Sequence, residues 1–397
     1  MKKPKKNYWE ERSRMSNIPK LRFPEFKGEW EEKRLEEICD PPKYGLNSAG
    51  IEFDGIHKYL RITDIDEITH TFSPTDITTP SEFNDEYLLN KNDIVFARTG
   101  ASTGKTYLYD SNDGDLYFAG FLIKFHVKDA NARFVFYQTL THKYSKWVHV
   151  MSTRSGQPGI NSEEYGSYKI KLPDIHEQQK IADFLSNVDS IITAETKILK
   201  NLQKKKKALM QKLFTQQLRF KSDDGTDFPT WEEKKLGDVC EEFKAGKTIT
   251  SHDISEKGEY PVYGGNGLRG YYNEFNHDGY YVLIGRQGAL CGNINEVQGK
   301  TYISEHAIAI KANDDNLSKY LFFFLDYCNL NQYSESSAQP GLSVQKLIIK
   351  QFSFPCKAEQ QKIADCLSSI DSLIQTQQKV VTTWQQRKKA LLQQMFV

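Results

Sequence analysis

The chain repeats itself, and this repeat constrains its fold more than any other feature. The sequence Glu-Gln-Gln-Lys-Ile-Ala-Asp occupies residues 177–183 and returns unchanged at residues 359–365, a shift of 182 positions. The same shift still relates residues 207–209 to residues 389–391, which both read Lys-Ala-Leu. The chain is therefore two copies of one unit, and two similar units suit a target with two halves, such as a stretch of duplex DNA.

The two units begin alike but differ in the middle. Both open with Trp-Glu-Glu-Lys, at Trp30 and at Trp231. From there to the shared Gln-Pro segment, at Gln157 and Gln339, the first unit has 127 positions and the second has 108. The two units share their ends but differ in the segments between them. This difference predicts two recognition domains for different targets. Duplication followed by drift is the alternative.

Two segments have the alternating four-three spacing of a coiled coil. The spaced positions run from Ile181 to Leu213 and from Ile363 to Met395. Polar residues interrupt both series at matching places, namely Glu195 and Lys206 in the first and Gln377 and Lys388 in the second. Because polar residues at a seam fix register and partner, we predict an intramolecular antiparallel coiled coil about 48 Å long. Two separate amphipathic helices, each on its own domain, are the alternative.

Composition bounds the class of protein. With 397 residues the chain can hold two ordinary domains plus long helices, and its formal net charge is only +1. Any contact with nucleic acid must therefore use local clusters, such as residues 204–207 or 387–389. Six cysteines without a Cys-x-x-Cys pair indicate buried thiols in a reducing cytosol. No stretch is apolar enough for a membrane span or an export signal, so a cytoplasmic protein is predicted, starting at Met1 or Met15.

The middles are predicted to mix strands and helices. Strand composition marks residues 93–97, 121–125, 280–284 and 307–310. Short helices are predicted just after the last of these strands in each unit, over residues 133–144 and 317–328. The expected fold class is α+β, with two similar domains joined by the two long helices.

Three segments resemble motifs of enzymes without meeting their requirements. Residues 100–106 have three positions between the glycines where a phosphate-binding loop has four, and a strand is predicted next instead of a helix. Residues 265–270 match the dinucleotide fingerprint, but no helix opens after them. Asp40-Pro41-Pro42 is followed by Lys43, where amino-methyltransferases place the aromatic residue that stacks on a flipped base. The sequence therefore predicts no catalytic residue and no metal site.

Arginine and glycine follow a predicted strand in the middle segment of both units, as Arg98-Thr99-Gly100 and Arg286-Gln287-Gly288. Arginine can bridge a guanine edge, and glycine lets the backbone approach a groove. The shared Gln157 and Gln339 suit loop structure or phosphate contact better than base readout, which is expected from loops that differ between the bodies. The predicted DNA-binding residues are Lys43, Tyr44, Arg61, Arg98, Lys105, Arg154, Gln157, Tyr263, Asn266, Arg269, Arg286, Gln287 and Gln339.

The combination of these motifs resembles a known family. A Trp-x-x-x-x-Leu opening at Trp30 and Trp231, and a Pro-x-x-x-Glu-Gln-Gln-Lys-Ile-Ala closing from Pro173 and Pro355, look like the specificity subunit (HsdS) of type I restriction-modification enzymes. The resemblance covers nearly the whole chain from Leu21. It implies two target-recognition domains, separated by helices that act as a ruler.

The resemblance also implies partners. They are double-stranded DNA, two HsdM methyltransferase subunits and HsdR restriction/translocase subunits, with no membrane. S-adenosylmethionine and ATP with Mg²⁺ would be bound by those subunits, and no cofactor by this chain. Four apolar residues left outside the seam are expected to dock the methyltransferase, namely Phe184, Ile191, Ile198 and Met210.

The predicted division of the chain follows from these boundaries: a lead-in over 1–29, recognition domains over 30–175 and 218–357, and spacer helices over 176–217 and 358–397. The alternatives for function are a stand-alone DNA methyltransferase and a coiled-coil scaffold that binds no DNA.

Overall fold

The chain forms two compact units, each with its own sheets and its own core. The computed structural model describes residues 17–82, 84–153, 159–288, 290–334 and 341–397. The first unit comprises Met1–Glu195 together with Val380–Val397, and the second comprises Thr196–Lys379. Each unit therefore contains part of both long helices.

In the first unit, a four-stranded sheet lies beside a strand pair that closes the domain. The sheet has the order β2-β9-β6-β7, and β1 pairs with β10. Two further pairs are β3 with β5 and, in parallel, β4 with β8. The strands are β1 Glu31–Arg34, β2 Lys43–Tyr44, β3 Gly50–Glu52, β4 Lys58–Leu60, β5 Thr78–Pro80, β6 Asp93–Ala97, β7 Thr106–Leu108, β8 Leu116–Phe118, β9 Leu122–His126 and β10 Lys169–Leu172. The helices are α1 Ala132–Gln138, α2 His142–Ser152, α3 Ser162–Gly166 and the first part of α4 Ile175–Phe214.

The second unit repeats this plan with a different accessory sheet. Its four-stranded sheet has the order β12-β18-β15-β16, and β11 pairs with β19. The accessory sheet has the order β14-β13-β17. The strands are β11 Glu232–Lys235, β12 Cys240–Ala245, β13 Tyr260–Gly264, β14 Gly267–Tyr272, β15 Tyr280–Gly285, β16 Ile294–Gln298, β17 Tyr302–Ile303, β18 Ala307–Ala312 and β19 Gln351–Phe354. The helices are α5 Ser318–Tyr327, α6 Val344–Ile348 and α7 Lys357–Met395.

The predicted repeat and α+β class are confirmed. The Trp-Glu-Glu-Lys segments open the corresponding antiparallel pairs, with Glu31 opposite Leu172 and Glu232 opposite Phe354. All four predicted strands are present as β6, β9, β15 and β18, and the helix predicted over 317–328 is α5. The helix predicted over 133–144 is wrong as one element, because the chain turns after α1 and Thr141 begins a new helix by accepting from the backbone N–H of Tyr144.

Large apolar side chains fill one main core in each unit. In the first, Trp30, Phe96 and Phe134 are buried between the sheet, α1 and the start of α4. In the second, Tyr320 and Phe323 are buried in the corresponding place. Burial raises the pKa of the Cys39 thiol to about 12 and that of the Cys240 thiol to about 12, so neither is a reactive thiolate at neutral pH. None of the described helices has a run long and apolar enough to cross a bilayer.

The long helices pair within each unit, so the alternative of separate helices is wrong. In the first unit, Ile181 and Leu185 near the start of α4 share a core with Leu392 near the end of α7, which makes the segments antiparallel. In the second, Leu213 shares a core with Ile363 in the same sense.

The lysines that interrupt the heptads have partners across the seam. Lys388 Nζ lies 2.6 Å from Asp189 Oδ1, and Lys206 Nζ lies 2.6 Å from Asp371 Oδ1. The two ion pairs are related by the 182-residue shift. A half-buried lysine is stabilised only where its carboxylate partner lies opposite, so these pairs favour one register of the helices.

The Glu-Gln-Gln repeat fastens each long helix to the segment before its domain. Glu177 is 1% exposed and accepts two hydrogen bonds from Arg22, both 2.7 Å. Glu359 is 0% exposed and accepts from Arg219 at 3.1 and 2.7 Å. These two-point contacts raise the pKa of both guanidinium groups, chiefly through the hydrogen bonds to glutamate.

The glutamine that follows each of these glutamates is buried and holds the short helix of the domain. Gln178 Oε1 accepts from the backbone N–H of Asn131, at the start of α1, and its Nε2 donates to Pro173 O. Gln360 makes the same two contacts, with Leu317 at the start of α5 and with Pro355. The repeated motif thus joins lead-in, domain and long helix at one place in each unit.

We expect Arg22→Leu to lower the free energy of unfolding of the first unit by about 3 kcal/mol, because it leaves a buried carboxylate without its cation. Urea unfolding followed by circular dichroism measures this change. The double variant Arg22→Leu, Glu177→Leu removes that carboxylate and should recover part of the loss. Lys169→Leu, which breaks an exposed ion pair with Glu32, is the control and should change stability by less than about 1 kcal/mol. A double variant less stable than Arg22→Leu would contradict this account.

Candidate nucleic-acid interface

The two Arg-x-Gly segments occupy the same position in the two units. Arg98 follows β6 and Arg286 follows β15, each at the start of a hairpin loop. The loops close in the same way, since Gly104 N–H donates to Ala97 O (2.9 Å) and Gly292 N–H donates to Gly285 O (2.7 Å). Gly100 and Gly288 both have positive φ, +75° and +82°, which L side chains rarely adopt.

Over the residues that the structure describes, these loops are hairpins without phosphate-binding geometry. The segment 100–106 leads into β7, which is antiparallel to β6, and no helix follows to aim its amides at a phosphate. The dinucleotide-like segment 265–270 is likewise the turn between β13 and β14 and the start of β14. In the described ranges no three His, Cys, Asp or Glu side chains are grouped as a metal site.

The end of each Gln-Pro-Gly segment pairs with the Arg-x-Gly turn. Gly159 bridges to Thr99, and Gly341 bridges to Gln287. The next residues also match, since Ile160 N–H donates to Arg98 O (2.9 Å) and Leu342 N–H donates to Arg286 O (2.9 Å). Of the predicted residues in these segments, Arg154, Gln157 and Gln339 lie outside the described residues.

A second turn lies against each arginine. The backbone N–H of Arg98 donates to Phe121 O (3.0 Å), in the turn between β8 and β9. The backbone N–H of Arg286 donates to His306 O (2.9 Å), in the turn before β18. Phe121 and His306 were absent from the predicted site. Phe121 belongs to an apolar run that predicts a strand, and only the sheet topology shows that it precedes the strand.

In the first unit, two predicted residues from distant segments meet. The guanidinium carbon of Arg98 lies 4.8 Å from the centroid of the Tyr44 ring, a cation–π contact. The Tyr44 hydroxyl donates to Ser162 Oγ (3.1 Å) and accepts from the backbone N–H of Ser162 (3.2 Å), at the start of α3. Nζ of the neighbouring Lys43 lies 3.7 Å from Glu86 Oε2. Arginine and tyrosine are thus held together at one end of the sheet.

Two other predicted residues of the first unit are engaged in the fold. Arg61 makes two 2.9 Å hydrogen bonds to the buried carboxylate of Asp64. Lys105 is buried, and its ammonium donates to Ile65 O (2.9 Å) and forms an ion pair with Glu67. These cations hold the loop 61–67, and their DNA contacts stay a prediction.

In the second unit, the β13–β14 hairpin brings its predicted residues to the same arginine. A Cβ on Gly265 would lie 2.7 Å from Gly285 Cα and 2.8 Å from His306 O, so the hairpin turn packs directly beside Arg286. Asn266 is exposed in this turn. Arg269 Nη1 donates to Ser304 Oγ (3.4 Å), and Ser304 N–H donates to Tyr263 O (2.9 Å). Tyr263, Asn266, Arg269, Arg286 and Gln287 therefore lie in one region.

The predicted docking residues lie in different environments. Phe184 and Ile191 line an apolar groove of about 410 Å³ in the first unit, with Val188, Trp384 and Leu391. Ile198 is 46% exposed. The prediction that Met210 is available for docking is wrong, because Met210 is 6% exposed and packs in the core of the second unit with Leu213.

Two sheet-based domains, each fastened to a pair of antiparallel helix segments and each presenting arginine beside glycine-containing turns, define a two-part recognition protein. The family model described as "Type I restriction modification DNA specificity domain" matches residues 27–204 and again residues 229–383. The chain belongs to this family and is a type I specificity subunit.

Known relatives agree with this assignment. The chain is 32% identical to the EcoprrI specificity subunit of Escherichia coli over 252 residues, which span 61% of each protein. It is 25% identical to the putative MjaX specificity subunit of Methanocaldococcus jannaschii over 95% of each. Its fold is similar to a crystal structure of the type I S subunit from M. genitalium, with a TM-score of 0.64 and 18% identity over 96% of this chain and 99% of that one.

We expect Lys105→Met to lower the free energy of unfolding of the first unit by about 1–2 kcal/mol, because Ile65 O loses its buried donor. Lys43→Met is the control, since Lys43 is exposed, and it should change stability by less than about 0.5 kcal/mol. Thermal denaturation of both variants decides the question. Equal stability of the two would mean that the ammonium of Lys105 does not support the loop.

Proposed function

We propose that this subunit recognises a two-part DNA sequence, with one half-site read by each unit. One observation carries the proposal: the same backbone frame holds unlike side chains in the two units. Arg98 and Arg286 occupy one position, whereas Tyr44 beside Arg98 has Ala245 as its counterpart. Shared positions suit holding the DNA backbone, and unlike positions suit distinguishing bases.

The charge distribution supports a target held at local sites. The net charge of +1 provides no general attraction for a polyanion, so affinity must come from a few cations at the turns. Such cations are supplied by Arg98, which lies over an aromatic ring, and by Arg269 and Arg286, which lie around one hairpin.

We further propose that the chain is non-catalytic and that S-adenosylmethionine, ATP and Mg²⁺ are bound by partner subunits. The hairpin geometry of both nucleotide-like segments supports this division. Because the proposed target is cellular DNA, we also propose that the protein acts in the cytoplasm.

We propose that two HsdM methyltransferase subunits dock on the helices and that HsdR subunits join the assembly. The apolar groove at Phe184 and Ile191 supports one docking surface. The 182-residue shift carries Ile191 to Leu373, which is 57% exposed on the part of α7 in the second unit. A repeated exposed apolar residue supports a second, equivalent surface and hence two copies of the partner.

Replacing residues 30–175 with the corresponding body of a relative should change one half of the methylated motif and leave the other unchanged, because each unit has its own core and its own turns. Single-molecule sequencing of DNA methylated in a host carrying the hybrid measures the motif. A hybrid that alters both halves together would argue for a single composite recognition surface.

Ile191→Asp should reduce the number of methyltransferase subunits per chain from two to one, because a carboxylate in the apolar groove opposes docking. Leu373→Asp should do the same at the other surface, and the double variant should bind none. Native mass spectrometry of the co-purified complex counts the subunits. Ile349→Asp, at a residue that is 61% exposed and belongs to neither long helix, is the control. Two subunits retained by the double variant would place docking elsewhere.

A further inference from the structure

The turn beside each arginine is built identically in the two units. In the first, Leu122 N–H donates to Ala119 O (2.8 Å) and Gly120 N–H donates to Leu46 O (2.8 Å). In the second, Ala307 N–H donates to Ser304 O (3.0 Å) and Glu305 N–H donates to Lys247 O (3.1 Å). Each turn residue of the first unit thus has its counterpart 185 positions later, and Phe121 corresponds to His306.

The backbone of this turn is tightly held. A Cβ on Gly45 would overlap the carbonyl oxygen of Ala119, and a Cβ on Gly246 would overlap that of Ser304. The backbone N–H groups of Arg98 and Arg286 also donate to the carbonyl oxygens of the two tip residues, Phe121 and His306. A rigid backbone presents its tip side chain without a large entropic cost on binding.

The tip side chains differ in chemistry and are exposed. Phe121 is 63% exposed, although it adjoins a buried strand. The His306 side chain is 45% exposed, with Nε2 3.3 Å from Glu305 Oε1. Single exposed apolar residues are common on protein surfaces. This one stands out because it lies on a shared rigid frame, next to the Arg98–Tyr44 contact.

We propose that the tip residue of this turn is a specificity-determining residue: Phe121 contacts the methyl group of a thymine in the first half-site, and His306 hydrogen-bonds to a base edge in the second. The inference rests on the proposed function. Apolar contact with the thymine methyl is a direct means of distinguishing bases in the major groove, and a phenyl ring suits it. An imidazole offers a donor and an acceptor instead.

The test uses the assembled methyltransferase complex and competition binding to duplexes substituted at one base pair each. Phe121→Ala should reduce the preference for thymine at one position of the first half-site about tenfold, with the second half-site unaffected. Ile349→Ala, at a residue of matched exposure, should leave every preference unchanged. Unchanged preferences in Phe121→Ala, or equal loss at both half-sites, would overturn the inference.

A second variant covers the case in which alanine disturbs the turn. Phe121→His places in the first unit the residue that the same frame holds in the second, so the turn should be retained. We expect a complex that still binds a two-part site but prefers a different base at that one position. An unaltered motif would overturn the inference. Failure of the proposed function itself is distinguishable, because the unsubstituted complex would then show no two-part preference.

Discussion

Each unit depends on one buried carboxylate. Glu177 and Glu359 lie in the first turn of the long helices, where acidic side chains are favoured by the helix dipole. Each also accepts hydrogen bonds from Nε and Nη2 of an arginine in the segment that precedes its domain. Removing the arginine would leave this carboxylate buried and unpaired, at a cost of about 3–5 kcal/mol. The carboxylate, the arginine and the neighbouring glutamine therefore act together, and this explains in physical terms why Glu-Gln-Gln occurs twice while the bodies between have diverged.

A second constraint lies at the entry to each unit. Leu21 N–H donates to Gln394 O (2.9 Å), and Leu218 N–H donates to Lys212 O (3.0 Å). Lys212 and Gln394 are equivalent under the 182-residue shift. In the second unit, the lead-in at Leu218 follows directly in the chain from the end of α4 that it contacts. In the first unit, the lead-in at Leu21 contacts the end of α7, which is more than 370 positions away in the chain. The same contact therefore closes both units, whether or not the chain is continuous there. Together with the Asp189–Lys388 and Lys206–Asp371 pairs, it specifies which helix ends belong to which domain.

The features that could be predicted from sequence are those with a regular spacing of apolar residues or a repeated motif. The heptads, the strands and the matching Arg-x-Gly turns follow from local pattern, and they hold in the structure. Three predictions depended on long-range contacts that pattern does not contain. Met210 lies on the expected outer face, but the α5 side of the second unit covers it. Lys105 is predicted from its loop to bind DNA, and only the structure shows that its ammonium donates to the carbonyl oxygen of Ile65. Phe121 has the composition of a strand residue, and only the pairing of β9 from Leu122 onward leaves it in a turn.

Recognition by two linked units also resolves an energetic difficulty. A chain of net charge +1 gains little from non-specific attraction to DNA, and a small set of side chains in one unit discriminates a base pair by only about 1–3 kcal/mol. In the function that we propose, the two units act on the same duplex, so their discriminations combine while the cost of association falls mainly on the first to bind. This arrangement works only if each unit is rigid. The buried carboxylates and the hydrogen-bonded turns supply that rigidity, and the unlike side chains at the turns remain free to vary without disturbing the frame that presents them.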